Sequence, residues 1–452
     1  MGTGETSSKS FLFAMFHGGG NVHLIMPVVG KLAARGHRVR VLAGPRLWVP
    51  RPPPTTPLLD AVTRAGATAI TLPTPSANPH DTAPARRGLL MGWTPGRLSR
   101  GRNLGTASWW APVWADAMAA ELAREPPDVA VADHYLLGAI AAAERAGIPT
   151  AVLVHNAMYP GPVRGLPPPG AGFGPERFVG DRLRDRAWGA ALRWVATREA
   201  LPSLNHARAN LGLNRLASPF DQYAAAARML ILSSRSFDFT SDGLPSNVRY
   251  TGIPLDDAAP TPWQSPWSAD DPRPLVLVSL STLDQGQLPL MHKLLEAIAD
   301  LPIRALVTLG PVLAAETFKP PPNAKLEVFV SHAAVLPSAA AVVTQCGLST
   351  VTKALVHGLP LVCLPLVADQ PDNAARIAAA GAGIRLSPRS TPARIAAAIE
   401  RVLVENRFRD NARRIGALIR RERGADTAAD ELETLAIGPR VEGNTPLREQ
   451  SG

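Results

Sequence analysis

The run Thr344–Ala374, TQCGLSTVTKALVHGLPLVCLPLVADQPDNA, concentrates residue types that could hold an anion. A β-like stretch, AAVVTQ, leads into Cys346 and Gly347, where a missing side chain permits close backbone approach. Ser349 and Thr350 follow, hydroxyl residues of the kind that begin helices. The amides and dipole at such a start attract negative charge, and a pyrophosphate has the right size. An ordinary capped helix shows the same spacing. Gln345 stands where such a site would welcome a positive donor, and Asp369-Gln370 closes the run. Alone, that dipeptide reads as a solvent-facing helix start.

The elements that must position these residues alternate between strand and helix patterns. FLFAMF reads as a short buried strand, HGGGNVH as a flexible turn, IMPVVGKLAARGH as an amphipathic helix ended by Gly36, and HRVRVLAG as the next strand. This is the opening of a doubly wound sheet. The pattern recurs with PPDVAVAD, LLGAIAAAERAG and IPTAVLVH. Between these units, 50–105 is rich in Pro, Arg and Gly and reads as loop. A Trp-rich helix pattern begins at Ser108 and an Arg-rich one runs to about Leu213. After a Pro/Asp/Ser-rich stretch the alternation restarts with PLVLVSLST, a strand ending in hydroxyls, and closes with Arg/Ala-rich helices. The expected architecture is α/β, with two Rossmann-like doubly wound domains facing across a cleft. They span 1–250 and 274–437, joined by a linker at 251–273 and followed by a flexible tail at 438–452. Ligands should sit where strand ends face the cleft.

Composition narrows the function classes. A chain of 452 residues exceeds one ordinary core, and 46% hydrophobic with 19% charged residues is globular. The net charge of +10 comes mostly from scattered Arg, without basic runs interleaved with aromatics. That argues against a nucleic-acid binder and suits an anionic small substrate. The two cysteines, Cys346 and Cys363, suggest neither a disulfide framework nor a zinc site. No signal-type apolar segment and no stretch of the ~20 apolar residues a membrane helix needs is evident, so a cytoplasmic location is expected.

The whole pattern resembles the family 1 glycosyltransferases, enzymes of the two-domain GT-B fold that use UDP- or dTDP-sugars. TQCGLSTVTKALVHGLP followed by PLVADQPDNA is similar to the family's T-H-G-G-x-N-S/T-x-x-E-A-L-x-x-G-V-P and P-x-x-x-D-Q-x-x-N-A. GNVHLIMPVVGKLAARGHRV is similar to the family's opening. The likeness is strongest to the bacterial branch acting on lipophilic natural products, including macrolide-type enzymes. It implies donor-binding roles for Gln345 in place of a phosphate-contacting His, for Cys346, Gly347, Ser349 and Thr350 as the phosphate cradle, and for Thr282 near the diphosphate. It also implies Val330 and Ser331 at the nucleotide base, and Asp369 and Gln370 at the sugar hydroxyls. Lys353 replaces a family Glu and would restore charge near the phosphates.

The resemblance further implies inverting transfer, in which a His oriented by an Asp deprotonates the acceptor hydroxyl. Asp133, ending PDVAVAD, matches the Asp. The His position is filled by Asn21, a poor base, with His17 and His23 on either side. Either His is a candidate, Asp133 itself is another if burial raises its pKa, and His134 is a further neighbour. On the acceptor side, Trp110 and Trp114 share a helix face, as a core or as a lipophilic pocket wall, and His155 ends a strand. Trp93 and Trp109 extend this cluster. The implied enzyme needs no metal and no cofactor beyond the sugar nucleotide, and would be a monomer or homodimer. A catalytically weak nucleotide-sugar-binding homologue, or an accessory partner of another transferase, is the alternative; a nucleotide-sugar epimerase is a third.

Overall fold

The structure is a computed structural model that describes residues 8–18, 20–48, 55–75, 79, 99–239, 241–255 and 263–438. Trp93, part of the linker and nearly all of the tail lie outside them.

The first half contains β1 (Ser10–Phe16), α1 (Gly20–Ala34), β2 (Arg38–Gly44), α2 (Thr56–Arg64), β3 (Thr68–Thr71), α3 (Ser99–Ser108), α4 (Ala111–Arg124), β4 (Val129–Asp133), α5 (Leu137–Ala146), β5 (Thr150–Val154), α6 (Val179–Asn210), β6 (Arg228–Ile231) and β7 (Val248–Tyr250). The second half contains β8 (Leu275–Ser279), α7 (Leu288–Ile298), β9 (Arg304–Thr308), β10 (Ala324–Glu327), α8 (His332–Val335), β11 (Ala341–Thr344), α9 (Leu348–Val356), β12 (Leu361–Cys363), α10 (Gln370–Ala379), β13 (Gly383–Arg385), α11 (Pro392–Val404), α12 (Asn406–Arg421) and α13 (Gly424–Ile437). The stretch 50–105, expected as loop, therefore contains α2, β3 and the start of α3. Its prolines mask the Leu58/Val62 face of α2, which packs into the core.

Each half builds one sheet, and every strand pairing is parallel. The orders are β3-β2-β1-β4-β5-β6-β7 and β10-β9-β8-β11-β12-β13. Strands β1, β4, β5, β8 and β11 are buried along their whole length, as parallel strands covered on both faces must be. In each sheet the order reverses once, between β1 and β4 and between β8 and β11. A crevice opens at such a switch point beyond the carboxyl ends of the strands. The residues following these four strands are thus the ones the fold presents to a ligand.

Two features hold the halves together. Helix α13 belongs in sequence to the second half but packs on α1 of the first. Arg35 pairs there with Asp426, Asp430 and Glu433, and Arg228 with Glu431. These groups are partly exposed, so each pair contributes only about 0.2–1 kcal/mol. The second feature is buried. Arg376 on α10 donates to Asp238 of the first half (Nε–Oδ1 2.9 Å), and both side chains are almost inaccessible. Tyr250 donates its hydroxyl to the same carboxylate. Removing one partner would strand a buried charge, at a cost of about 3–5 kcal/mol.

Helix α9, which follows β11 at the switch point, is fixed from behind by α12. Gly416 makes this possible: a Cβ there would fall 1.8 Å from the Leu355 carbonyl oxygen.

Candidate active site

The cradle in the second half is built on two strained turns. Cys346 has φ +73° and Ala368 φ +57°, the two non-glycine residues with positive φ among the described residues. Each non-glycine residue there stores strain of order 1–3 kcal/mol, and such strain concentrates where a turn must present backbone to a ligand. The bend at Cys346 is held by its amide on Thr344 Oγ1 (3.2 Å) and by Asn373 Nδ2 on its carbonyl (2.9 Å). Gly347 then caps α9, and no side chain caps that helix start. Ser349 and Thr350 lie in its first turn, half-buried, with Lys353 one turn on. Thr282 is exposed across the switch point, just beyond β8.

Gln345 is used differently from the sequence expectation. Its side chain is buried; with the amide oriented to satisfy its neighbours, the nitrogen donates to the Ser279 carbonyl (3.1 Å) and Thr344 Oγ1 (3.0 Å) and the oxygen accepts from the Ser281 amide (3.3 Å). It thus ties β8 to β11 and has no spare proton for a phosphate. His332 opens α8 beneath the same wall, with Nε2 3.1 Å from Ser279 Oγ, which accepts from Thr308 Oγ1 (2.9 Å). Burial, then Lys353 and His23, push its pKa down to about 4, so it is neutral at ordinary pH. Val330 is buried and Ser331 half-buried just before it.

Asp369 and Gln370 begin α10. Asp369 Oδ2 accepts from Asn373 Nδ2 (2.8 Å). Gln370 Oε1 accepts from the amides of Leu366 and Val367, and its Nε2 donates to Gln285 Oε1 (2.8 Å). Burial and then Cys363 push the Cys346 thiol well up, so it is a protonated wall residue rather than a nucleophile.

In the first half the switch point converges on Asp133, at the end of β4 and essentially inaccessible. Its Oδ2 lies 2.9 Å from His155 Nδ1 and accepts from Asn21 Nδ2 (3.2 Å). Its Oδ1 lies 3.3 Å from His134 Nδ1 and accepts from the Tyr135 amide (3.0 Å). Burial raises the carboxyl's pKa, but His155 and then His134 outweigh it and hold Asp133 well below the ordinary carboxylate range. It is charged, and the reading of Asp133 as a burial-raised base does not fit.

The imidazoles at Asp133 are therefore those of His155 and His134, where the sequence pointed to His17 and His23. Helix α1 begins at Gly20, inside the stretch read as a turn, so Asn21 and His23 occupy its first turn. Two residues apart on a helix face nearly opposite ways. Asn21 points inward, also donating to the Phe16 carbonyl (3.0 Å), and His23 points outward. His23 lines a crevice between the halves with Leu24, Ile253, Ser349, Thr352 and Lys353. His17 donates its amide to Gly44, and burial and then Arg46 lower its imidazole pKa.

Of the acceptor-side candidates, Trp110 and Trp114 are core residues. Trp114 is wholly inaccessible, and its ring fills the space where a Cβ on Gly44 would fall, 2.4 Å away. Beyond the His134 ring at 4.6 Å, His155 has Phe16 and Tyr135 beside it, with centroids at 6.2 and 5.8 Å; Trp48 packs on both. Trp48 and Tyr135 were not singled out from sequence, although both follow strand ends at the ligand edge. A second crevice behind them is lined by His134, Tyr135, Pro160, Leu192, Phe220 and Tyr223, among others. His155 packs against His134 and Tyr135 of this wall and is partly exposed.

Among the described residues, Asp133, His134 and His155 also form the trio able to hold a metal ion, with ligand atoms within 4.8 Å of one another. Both carboxylate oxygens there already accept from Asn21 or the Tyr135 amide, and His134 Nε2 lies 3.0 Å from Asn156 Nδ2. None of the described helices is long and apolar enough to cross a membrane.

Two parallel α/β sheets, one with its switch point beside the open start of α9 and the other beside a His-carboxylate cluster, define a two-sheet, doubly wound architecture. Solved structures agree on the fold. The glycotransferase of kitacinnamycin covers 95% of this chain and 99% of its own at TM-score 0.71 and 22% identity, and the calicheamicin glycosyltransferase CalG4 covers 96% and 100% at TM-score 0.69 and 22% identity. Residues 292–433 match the erythromycin biosynthesis protein CIII-like C-terminal domain. The 4'-demethylrebeccamycin synthase of Lentzea aerocolonigenes is 30% identical over 416 residues, covering 89% of this chain and 94% of its own length. The TDP-daunosamine transferase DnrS of Streptomyces peucetius is 26% identical, covering 94% and 96%. The chain belongs to the family 1 glycosyltransferases of natural-product pathways, enzymes of the GT-B fold.

Proposed function

We propose that the protein transfers a sugar from a UDP- or dTDP-sugar to a hydroxyl of a lipophilic natural product, with inversion, and that His155 is the base. The observation that carries this reading is the 2.9 Å approach of His155 Nδ1 to the ionised Asp133. Asp133 fixes the ring and stabilises the imidazolium, leaving Nε2 for the acceptor. Nε2 takes the acceptor proton as the acceptor oxygen bonds to the anomeric carbon. The bond from that carbon to the diphosphate oxygen breaks in the same displacement, which inverts the centre. The open start of α9, with Ser349 and Thr350, Thr282 opposite and Lys353 a turn away, suits the charge on the departing diphosphate. These groups supply that stabilisation without a metal.

Asp369 and Gln370 fit the sugar hydroxyls, and Val330 and Ser331 the base. In this reading residues 8–250 receive the acceptor and 274–423 the donor, with α13 bracing both. A thymidine nucleotide is favoured by relatives: one is named a TDP-daunosamine transferase, and a fold neighbour, VinC, was solved in complex with dTDP. The test is a matrix of UDP- and dTDP-sugars against aromatic and macrolide aglycones, read by mass and by the anomeric configuration of the product. Inverted glycoside from at least one pair is the expected result, and a retained configuration would refute the mechanism.

A second reading, a nucleotide-sugar-binding homologue without transfer, is favoured by Gln345, whose amide is engaged within the wall. It predicts donor binding in calorimetry with intact donor after prolonged incubation with every acceptor.

A further inference from the structure

The segment 166–173 leaves the first half shortly after His155 and lies against α10 of the second. Three prolines, Pro167, Pro168 and Pro169, stiffen its approach and carry no N–H, so the next amide is that of Gly170. That amide donates to Asp372 Oδ2 (2.6 Å), and the amide of Gly172 donates to Asp372 Oδ1 (2.9 Å). The Gly172 carbonyl accepts from Arg385. Gly172 has φ +64°, and a Cβ on it would fall 2.6 Å from Pro371 Cβ and 2.8 Å from the Arg385 guanidinium. Both glycine amides and one carbonyl of this first-half segment are thus satisfied by two residues of the second half, Asp372 and Arg385.

Asp372 is buried, and its own carbonyl accepts from Arg376 Nη1 (3.0 Å), the arginine that pairs with Asp238. It lies three residues beyond Asp369 and two beyond Gln370, in the first turn of the same helix. A carboxylate taking two amides is held more firmly than a neutral contact would be, and burial strengthens it further. Whatever fixes Asp372 therefore fixes the acceptor-side segment on the turn that presents Asp369 and Gln370.

We infer that Asp372 is a positioning residue for transfer: it clamps 166–173 onto the sugar-facing turn, so that acceptor wall and donor sugar keep one register and water is kept from the anomeric carbon. This rests on the transfer proposed above. Misplacement of reacting groups by about 1 Å costs on the order of 100-fold in rate, so a loosened clamp should act on turnover more than on donor binding.

The experiment compares the parent with Asp372→Asn and with Gly172→Ala, which attacks the same contact from the other side by steric overlap. Two readouts are taken: the partition of consumed dTDP-sugar between glycoside and free sugar, and hydrogen–deuterium exchange across the full chain. The expected result in both variants is a kcat for transfer lower by about 10-fold, a donor KM within about twofold, and a several-fold larger hydrolysed share. Exchange should rise in 166–173 while peptides of α12 stay protected. Unchanged exchange in 166–173 in both variants, or an unchanged hydrolysed share with kcat and KM falling together, overturns the inference. A general rise in exchange, α12 included, marks a merely structural contact and overturns it as well. If the parent forms no glycoside with any donor and acceptor, the proposed function fails by itself, and the exchange comparison still decides the clamp.

Discussion

The two switch points are built by the same rule and differ in how far apart their residues lie in the chain. In the second half, Cys346, Gly347, Ser349, Thr350 and Lys353 occupy one strand-turn-helix stretch, and Asp369 and Gln370 follow after one further strand. In the first half, Asn21, Asp133 and His155 lie at or beyond the ends of three different strands that only the order β1-β4-β5 makes neighbours. The second-half residues are placed by local backbone, the turn at Cys346 and the start of α9. The first-half cluster is assembled by sheet order around one carboxylate and the imidazoles beside it.

The largest expected effect tests that contrast directly. His155→Ala should lower kcat by about 100- to 10,000-fold, the usual range for a lost general base, with His17→Ala and His23→Ala within about 10-fold of the parent. Asp133→Asn should fall nearly as far, and the double variant His155→Ala/Asp133→Asn little further, since the two act as a unit. Single-turnover kinetics read by mass decide it; a His23→Ala enzyme slower than His155→Ala would return the base to α1.

A smaller effect is expected in the cradle. Lys353→Ala should weaken nucleoside diphosphate binding by roughly 10-fold and flatten its salt dependence, leaving kcat at saturating donor little changed. Calorimetry with dTDP and UDP in rising salt measures this, and parent-like affinity would remove Lys353 from the phosphate site.

The last effect is on stability rather than activity. His332, with its pKa depressed to about 4, stays neutral in the folded protein while an unfolded chain binds a proton near 6.5. The unfolded state therefore holds more protons between these values. The stability present above about pH 6.5 should decline as pH falls towards 4, by on the order of 2–3 kcal/mol. His332→Gln should flatten this acid limb in urea titrations from pH 7 to 4.5, and an unchanged limb would assign it to other groups.

Much of the fold was legible because parallel strands buried on both faces leave continuous apolar runs, as in FLFAMF, VAVAD and LVLVS. The misreadings are equally physical. The Gly-rich stretch after β1 suggested a turn, yet α1 begins at Gly20, and one turn of helix was enough to send His23 outward and Asn21 inward. The prolines of 50–105 hid α2 because Pro57 sits at a helix start, where its missing N–H costs nothing. Trp110 and Trp114 carry the same one-turn spacing in a core as in a pocket wall, so spacing could not separate the two.

By itself the sequence determined the strand-helix alternation, the two-sheet class and the strand-turn-helix run at 344–356, because each depends on residues within a few positions of one another. The tertiary structure decided what brings Asp133 to His155, what occupies the amide of Gln345, and where Asp372 meets Gly170 and Gly172. Those contacts join residues up to about 200 positions apart, and their geometry is fixed by sheet order and by the close packing of the two halves.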